Sequence, residues 1–291
     1  MTDAAQSTTG TVPFLDGETW YQVSGELGGG RPPLLTLHGG PGSVHNYLLP
    51  LASLLGQDRA VIFYDQVGCG NSTRRPGWPP ERWTVDLHLA ELEALTGHLG
   101  LSRFHLFGHS WGGMLAAEYA LRHPGRLASL ILCSTASSAQ RTMDSVSALR
   151  DALTVDGTPG TAEYEQALAQ QFVTQHICRT DPMPDELAYT LGQIAANPGI
   201  NDAMMGHDPD EVTGTLRGWT AEDRLAGLSV PALVLGGEYD ELDASARQPF
   251  LDLIPDVRGH VFAGASHVSF GETPAEFRDV TSAFLAAHDG P

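Results

Sequence analysis

Short apolar runs that stop abruptly at glycines recur through the first part of the chain, and this recurrence restricts the fold more than any other feature. Pro33-Leu34-Leu35-Thr36-Leu37 ends at His38-Gly39-Gly40-Pro41-Gly42, and Arg59-Ala60-Val61-Ile62-Phe63-Tyr64 ends at Asp65-Gln66-Val67-Gly68-Cys69-Gly70. Phe104-His105-Leu106-Phe107 ends in the same way at Gly108-His109-Ser110-Trp111-Gly112-Gly113. Runs without polar alternation are what strands buried on both faces require. Between the second and third runs, Thr84 is placed to cap a helix whose apolar residues at 85, 89, 92 and 95 form one stripe. Gly112 through Arg122 reads as a further helix and Leu127–Leu132 as a strand. Strands alternating with helices predict an α/β fold, with a mostly parallel sheet flanked by helices on both faces.

The flanks complete the plan. Thr19–Val23 reads as a strand and the Gly-rich stretch 25–30 as a turn, so a hairpin opens the fold. From 136 to 220 the character changes to polar, helix-forming stretches such as Thr161–Gln170, with no buried strand among them. The sheet pattern resumes at Ala232–Leu235, continues at Gly259–Phe262 and closes with an amphipathic helix over Pro274–Ala287. An α/β core of residues 1–135 and 221–291 with an inserted helical cap, 136–220, suits a length of 291 residues.

Composition excludes several functions. A formal charge of −19 disfavours nucleic acid or an anionic membrane as a partner, since both call for a basic face. It suits either a cationic, amine-bearing ligand or simple solubility. All 16 basic residues are Arg, which removes any Ser–Lys dyad, Schiff-base lysine or P-loop lysine. Cys69, Cys133 and Cys178 are odd in number and widely spaced, as expected of reduced, buried thiols rather than a disulfide framework or a zinc site. The stretch Met1–Ser7 lacks the features of a signal peptide and no apolar run is long enough to span a bilayer, so the expected location is the cytoplasm.

Gly108-His109-Ser110-Trp111-Gly112 carries the candidate chemistry. Gly-x-Ser-x-Gly alone is weak, but here it falls between a buried strand and a helix, the setting of a nucleophile elbow. A serine hydroxyl is a poor nucleophile at neutral pH and needs a base, which in turn needs an orienting acid. His267 and Asp240 each follow a predicted strand late in the chain, with Asp243 as the fallback acid. The backbone N–H groups of Trp111 and Gly40 are the candidate oxyanion donors. His38 reads as a prop for its loop rather than a base. His105 and His109 are spaced i,i+4, but a strand and a turn carry them, so they are not expected to pair on a metal.

Together His38-Gly39-Gly40-Pro41-Gly42, Asp65-Gln66-Val67-Gly68-Cys69-Gly70-Asn71-Ser72, Gly108–Gly113, Gly237-Glu238-Tyr239-Asp240-Glu241 and Ser266-His267 resemble the proline iminopeptidase family of serine aminopeptidases. The resemblance implies an α/β-hydrolase core with a helical cap, and removal of an N-terminal residue, often proline, from a small peptide or amide. It also implies that Glu241 binds the substrate's α-ammonium, a task suited to a charge-assisted hydrogen bond. A second cap carboxylate usually helps in the family. Here Pro209 falls at its place, leaving Asp208, Asp210 or Glu211 either to substitute for it or to be solvated loop acids.

The expected reaction is therefore hydrolysis of a terminal aminoacyl amide, needing no metal or organic cofactor. The runner-up is removal of an aminoacyl group from a non-peptide amine such as a natural-product intermediate. A carboxylesterase would not depend on a free amine. An epoxide hydrolase would usually carry Asp at the elbow. A non-catalytic receptor on this scaffold need not keep Ser110, Asp240 and His267 together.

Overall fold

The computed structural model describes residues 7–56, 58–208 and 210–290. Pro209 and the stretch 1–6, on which two of the expectations above rest, lie outside the described residues. Eight strands form one sheet: β1 (Ser7–Phe14), β2 (Gly17–Ser24), β3 (Leu34–Leu37), β4 (Val61–Tyr64), β5 (Phe104–His109), β6 (Leu127–Cys133), β7 (Ala232–Gly237) and β8 (Val257–Phe262). Their order is β1-β2-β4-β3-β5-β6-β7-β8. β2 runs antiparallel to both its neighbours, and every pairing from β4 to β8 is parallel.

A hairpin does open the fold, but the turn lies elsewhere than expected. β1 pairs with β2 across Leu15 and Asp16, whereas the Gly-rich stretch 25–30 leads β2 away towards β3. β1 is an edge strand, which tolerates the Pro13 that weakens its signal. Gly10, which leaves a gap on that strand, is covered by the ring of its cross-strand partner Tyr21.

Alternation along the central strands sends side chains to two cores. Leu35, Leu37, Ile62, Tyr64, Leu106 and Leu130 pack on one face. Leu34, Val61, Phe63, Phe107, Ile131 and Leu233 pack on the other. The covering helices are α1 (Pro50–Leu55), α2 (Val85–His98), α3 (Trp111–Arg122), and, after β6, α4 (Ala139–Ala152), α5 (Ala162–Phe172), α6 (Asp185–Ala196) and α7 (Gly199–Met204). α8 (Ala244–Leu253) joins β7 to β8, and α9 (Ser269–Glu272) and α10 (Pro274–Ala287) close the chain. Thr84 caps α2 and Thr161 caps α5, each accepting a hydrogen bond from a backbone N–H three residues on.

The stretch between β6 and β7 contains no named strand among its described residues, only an isolated bridge from Ser138 to Thr220 where the segment leaves and rejoins the sheet. No helix among the described residues is long and apolar enough to cross a membrane. Cys69, Cys133 and Cys178 are free and buried.

Candidate active site

Ser110 sits between β5 and α3 at φ 55°, ψ −125°, a conformation that costs an L-residue energy and turns its side chain out above the sheet. The surrounding glycines make the turn sterically feasible. A Cβ at Gly108 would lie 2.2 Å from the carbonyl oxygen of Gly112, and one at Gly112 would lie 2.2 Å from that of Leu37. At Gly113 it would strike the side chain of Thr135 at 2.5 Å. That Thr135 hydroxyl donates to the Ser110 carbonyl at 2.7 Å, and Ser110 N–H donates to Cys133 at 3.1 Å, so the elbow is tied to the end of β6.

The loops after β7 and β8 supply an acid and an imidazole. Asp240 Oδ1 lies 2.7 Å from His267 Nδ1, and both residues are buried. Asp240 also accepts the N–H of Leu242 at 3.0 Å, and Arg247 braces the same loop by donating to the carbonyl of Leu242 at 2.8 Å. Asp243 faces away. It caps α8 through the N–H groups of Ser245 and Ala246, so the fallback acid is engaged elsewhere. His267 N–H donates to the His176 carbonyl at 3.1 Å, which ties the loop after β8 to the segment between β6 and β7.

The other imidazole nitrogen, His267 Nε2, lies 3.2 Å from Glu241 Oε1. Burial alone would lower the pKa of this histidine, but the charges of Glu241 and then Asp240 outweigh it and lift the value to about 9. Burial pushes the Glu241 carboxyl above the usual range and the neighbouring Asp240 adds to this, against the pull of His267. The Asp240 carboxyl is held below its ordinary value: burial opposes this, and the charge and hydrogen bond of His267 prevail.

The third part of the site is the loop after β3. His38 Nε2 accepts the Gln66 N–H at 3.0 Å, so its proton resides on Nδ1, which donates to the Gly39 carbonyl at 2.9 Å. Burial lowers its pKa to about 4, and it props the loop as a neutral ring. Gln66 also donates to the His38 carbonyl at 2.9 Å and accepts the Trp111 indole N–H at 2.8 Å, joining this loop to the residue after Ser110. Gly40 adopts φ 114°, and neither its N–H nor that of Trp111 meets a protein acceptor among the described residues. Trp111 opens α3, where N–H groups have no intrahelical partner.

Two residues of this network escaped the reading of the sequence. The Tyr47 hydroxyl accepts the Gly39 N–H at 2.8 Å and donates to His109 Nδ1 at 2.8 Å, and His109 Nε2 donates to the His267 carbonyl at 2.9 Å. Burial and the charge of His267 lower the His109 pKa to about 3, so it bridges as a neutral ring. His109 and Tyr47 thus link the loops carrying Gly40, Ser110 and His267. His109 stood inside a quoted motif, whereas nothing in the sequence singles out Tyr47.

Two cavities flank Ser110. One, of about 160 Å³, is bordered by His267, Ile177, Leu187, Leu191 and Ile194. The other, of about 270 Å³, is bordered by Trp111, Met114, Met143, Val146 and Leu242. Gly40, Asn201 and Glu241 border both. Asp208, Asp210 and Glu211 border neither, an arrangement that fits the second of the two expectations for them, solvated loop acids. All three are exposed, because Asp208 turns back on its own loop to accept the N–H groups of Asp210 and Glu211 at 2.9 Å each. Asp210 instead accepts the Ser147 hydroxyl at 3.1 Å.

A serine at a strained strand-to-helix turn, with a His–Asp pair at the carboxyl ends of neighbouring parallel strands, defines a hydrolase of the α/β-hydrolase fold, and the family model described as alpha/beta hydrolase fold matches residues 32–274. The proline iminopeptidase of Clostridioides difficile (strain 630) is 35% identical over 97% of this chain and 99% of its own. The crystal structure of the Mycobacterium smegmatis proline iminopeptidase superposes with a TM-score of 0.88 at 42% identity, covering 97% of this chain and 99% of that one. That of VinJ does so with a TM-score of 0.90 at 39% identity and the same coverage. The chain belongs to the proline iminopeptidase family of serine aminopeptidases.

Proposed function

We propose that this enzyme removes an N-terminal aminoacyl group from a small peptide or amide through an acyl-enzyme on Ser110. The observation that carries the reading is the position of His267, whose two nitrogens lie 2.7 Å from Asp240 and 3.2 Å from Glu241 at the rim of the smaller cavity that borders Ser110. In the proposed cycle, Ser110 Oγ attacks the substrate carbonyl while His267 Nε2 takes its proton. The N–H groups of Gly40 and Trp111 receive the oxyanion. The C–N bond then breaks as His267 returns the proton to the leaving amine. A water deprotonated by His267 next attacks the ester, the amino acid departs, and Ser110 recovers its proton.

Glu241 takes the α-ammonium in this scheme, which distinguishes a chain terminus from an internal amide by charge. Residues 136–220 act as the cap that covers the site. The cytoplasm suits the three buried free thiols.

Absence of Asp208, Asp210 and Glu211 from the cavities favours keeping a second reading, in which the aminoacyl group is taken from a non-peptide amine and proline is not required. Ser110→Ala tests the shared chemistry. Turnover of aminoacyl-naphthylamides should disappear, and undiminished turnover would remove Ser110 as nucleophile. A panel of prolyl, alanyl and leucyl naphthylamides then ranks the terminal residue.

A further inference from the structure

The two cavities beside Ser110 are not equivalent, and their difference assigns the two halves of a substrate. The proton that releases the amine comes from His267, so the leaving group must depart on the side that His267 borders. His267 borders the smaller cavity and not the larger, whereas Trp111, the proposed oxyanion donor, borders only the larger. The aminoacyl side chain therefore occupies the larger cavity. Its walls include Met114, Met143 and Met205, flexible side chains that adapt to more than one shape.

The leaving-group cavity is walled by Ile177, Leu187, Leu191, Ile194 and Val268. No arginine borders either cavity among the described residues, and the chain has no lysine. The carboxylate that does border this cavity, Glu241, would repel a second one. Arg74 and Arg75 line a separate cavity of about 380 Å³, where Arg74 donates to Gln193 at 3.2 Å. A free dipeptide would carry its own carboxylate against this apolar wall, where Thr190 and Asn201 are polar but no arginine or lysine offers a counter-charge, and a buried carboxylate without one is penalised.

We infer that the leaving amine of the preferred substrate is apolar and bears no carboxylate near the scissile bond: an aminoacyl group on an alkyl or aryl amine, or on a chain whose own carboxylate lies beyond the cavity. This rests on the aminoacyl-amidase reading above and narrows it to a class of leaving group. Free dipeptides are then poor substrates for a reason independent of their N-terminal residue.

The test compares leaving groups under a constant acyl half, in alanyl and prolyl series: the leucine dipeptide, its C-terminal carboxamide, and n-propyl, n-butyl and n-hexyl amides. kcat/KM for the carboxamide should exceed that for the free dipeptide at least tenfold. It should also climb by about two- to fourfold per methylene along the alkyl series, as burial of each methylene requires. Equal rates for dipeptide and carboxamide, or a flat or falling alkyl series, would overturn the inference while leaving the amidase reading intact. Failure to cleave any member, together with the naphthylamides, would overturn the amidase reading itself. Ile194→Arg supplies a second arm, its folding checked by thermal melting. It should raise the dipeptide-to-hexylamide ratio at least tenfold, and an unchanged ratio in the folded variant counts against the assignment of this cavity.

Discussion

Glu241→Gln should lower the pH at which His267 becomes available as a base. In the free protein the imidazole lies between two carboxylates, 2.7 Å from Asp240 and 3.2 Å from Glu241. A neutral ring carries one N–H and cannot donate to both, so the arrangement favours the imidazolium. His109, whose ring centroid is 4.5 Å away, stays neutral and offers no counter-charge. Glu272 adds a weaker raising influence, and His176 faces the same group through its carbonyl and its charge on Glu241.

The lift from 6.5 to about 9, net of burial, corresponds to about 3 kcal/mol. With Glu241 the largest raising influence, its removal should shift the titration down by at least about one pH unit. A general base must be neutral to act, so activity rises with pH through this titration. The assay is hydrolysis of p-nitrophenyl acetate, which has no ammonium to occupy Glu241, followed from pH 5 to 10 after subtraction of spontaneous hydrolysis. Wild type should show an acidic limb near pH 9 in kcat/KM, and Glu241→Gln a limb at least about one unit lower. With an aminoacyl amide, the ammonium engages Glu241 and frees Nε2, so the limb in kcat should fall below that in kcat/KM for wild type and merge with it in the variant. An acidic limb unmoved by Glu241→Gln would show that Glu241 does not hold the His267 imidazolium.

Other outcomes follow from the same geometry. Tyr47→Phe leaves Gly39 N–H and His109 Nδ1 without their shared hydroxyl, at about 1–3 kcal/mol; steady-state kinetics should show kcat reduced at least tenfold with a smaller change in KM. Gly112→Ala drives a Cβ to 2.2 Å from the Leu37 carbonyl, backbone against backbone, and should give a protein that melts far lower or does not accumulate in the folded state. Asp65 accepts from His45 and Asn71 at 2.8–2.9 Å, and although burial opposes it, the hydrogen bond and charge of His45 hold its carboxyl at about 2 against an ordinary 3.8. A depressed carboxyl stabilises the fold above pH 3.8 and loses that contribution as pH falls towards 2. Urea titrations between pH 5 and 2.5 should therefore show a pH-dependent loss that is smaller in Asp65→Asn by up to about 2 kcal/mol.

The sheet and the elbow were legible because their requirements are local. Buried parallel strands need uninterrupted apolar residues, and a turn as tight as that at Ser110 needs glycine at 108, 112 and 113. β1 was hidden because Gly10 and Pro13 interrupt its pattern, and what makes them tolerable, an edge position and the Tyr21 ring, is supplied by the partner strand. The turn at 25–30 is a turn, but composition cannot say which strands it joins. Tyr47 and Arg247 owe their importance to contacts with distant loops, which spacing along the chain does not encode. The acids at 208, 210 and 211 show the converse: their positions in the sequence suggested a role, and the way their loop folds back on Asp208 directs them to solvent.

Whether this serine hydrolase reads a free terminal amine is measured with paired substrates. For alanyl and prolyl naphthylamides, kcat/KM with the amine free should exceed that of the N-acetylated counterpart at least a hundredfold, and Glu241→Gln should reduce the ratio to within a few-fold of unity. Equal rates for free and acetylated substrates in the wild-type protein would mean that the site does not recognise the amine.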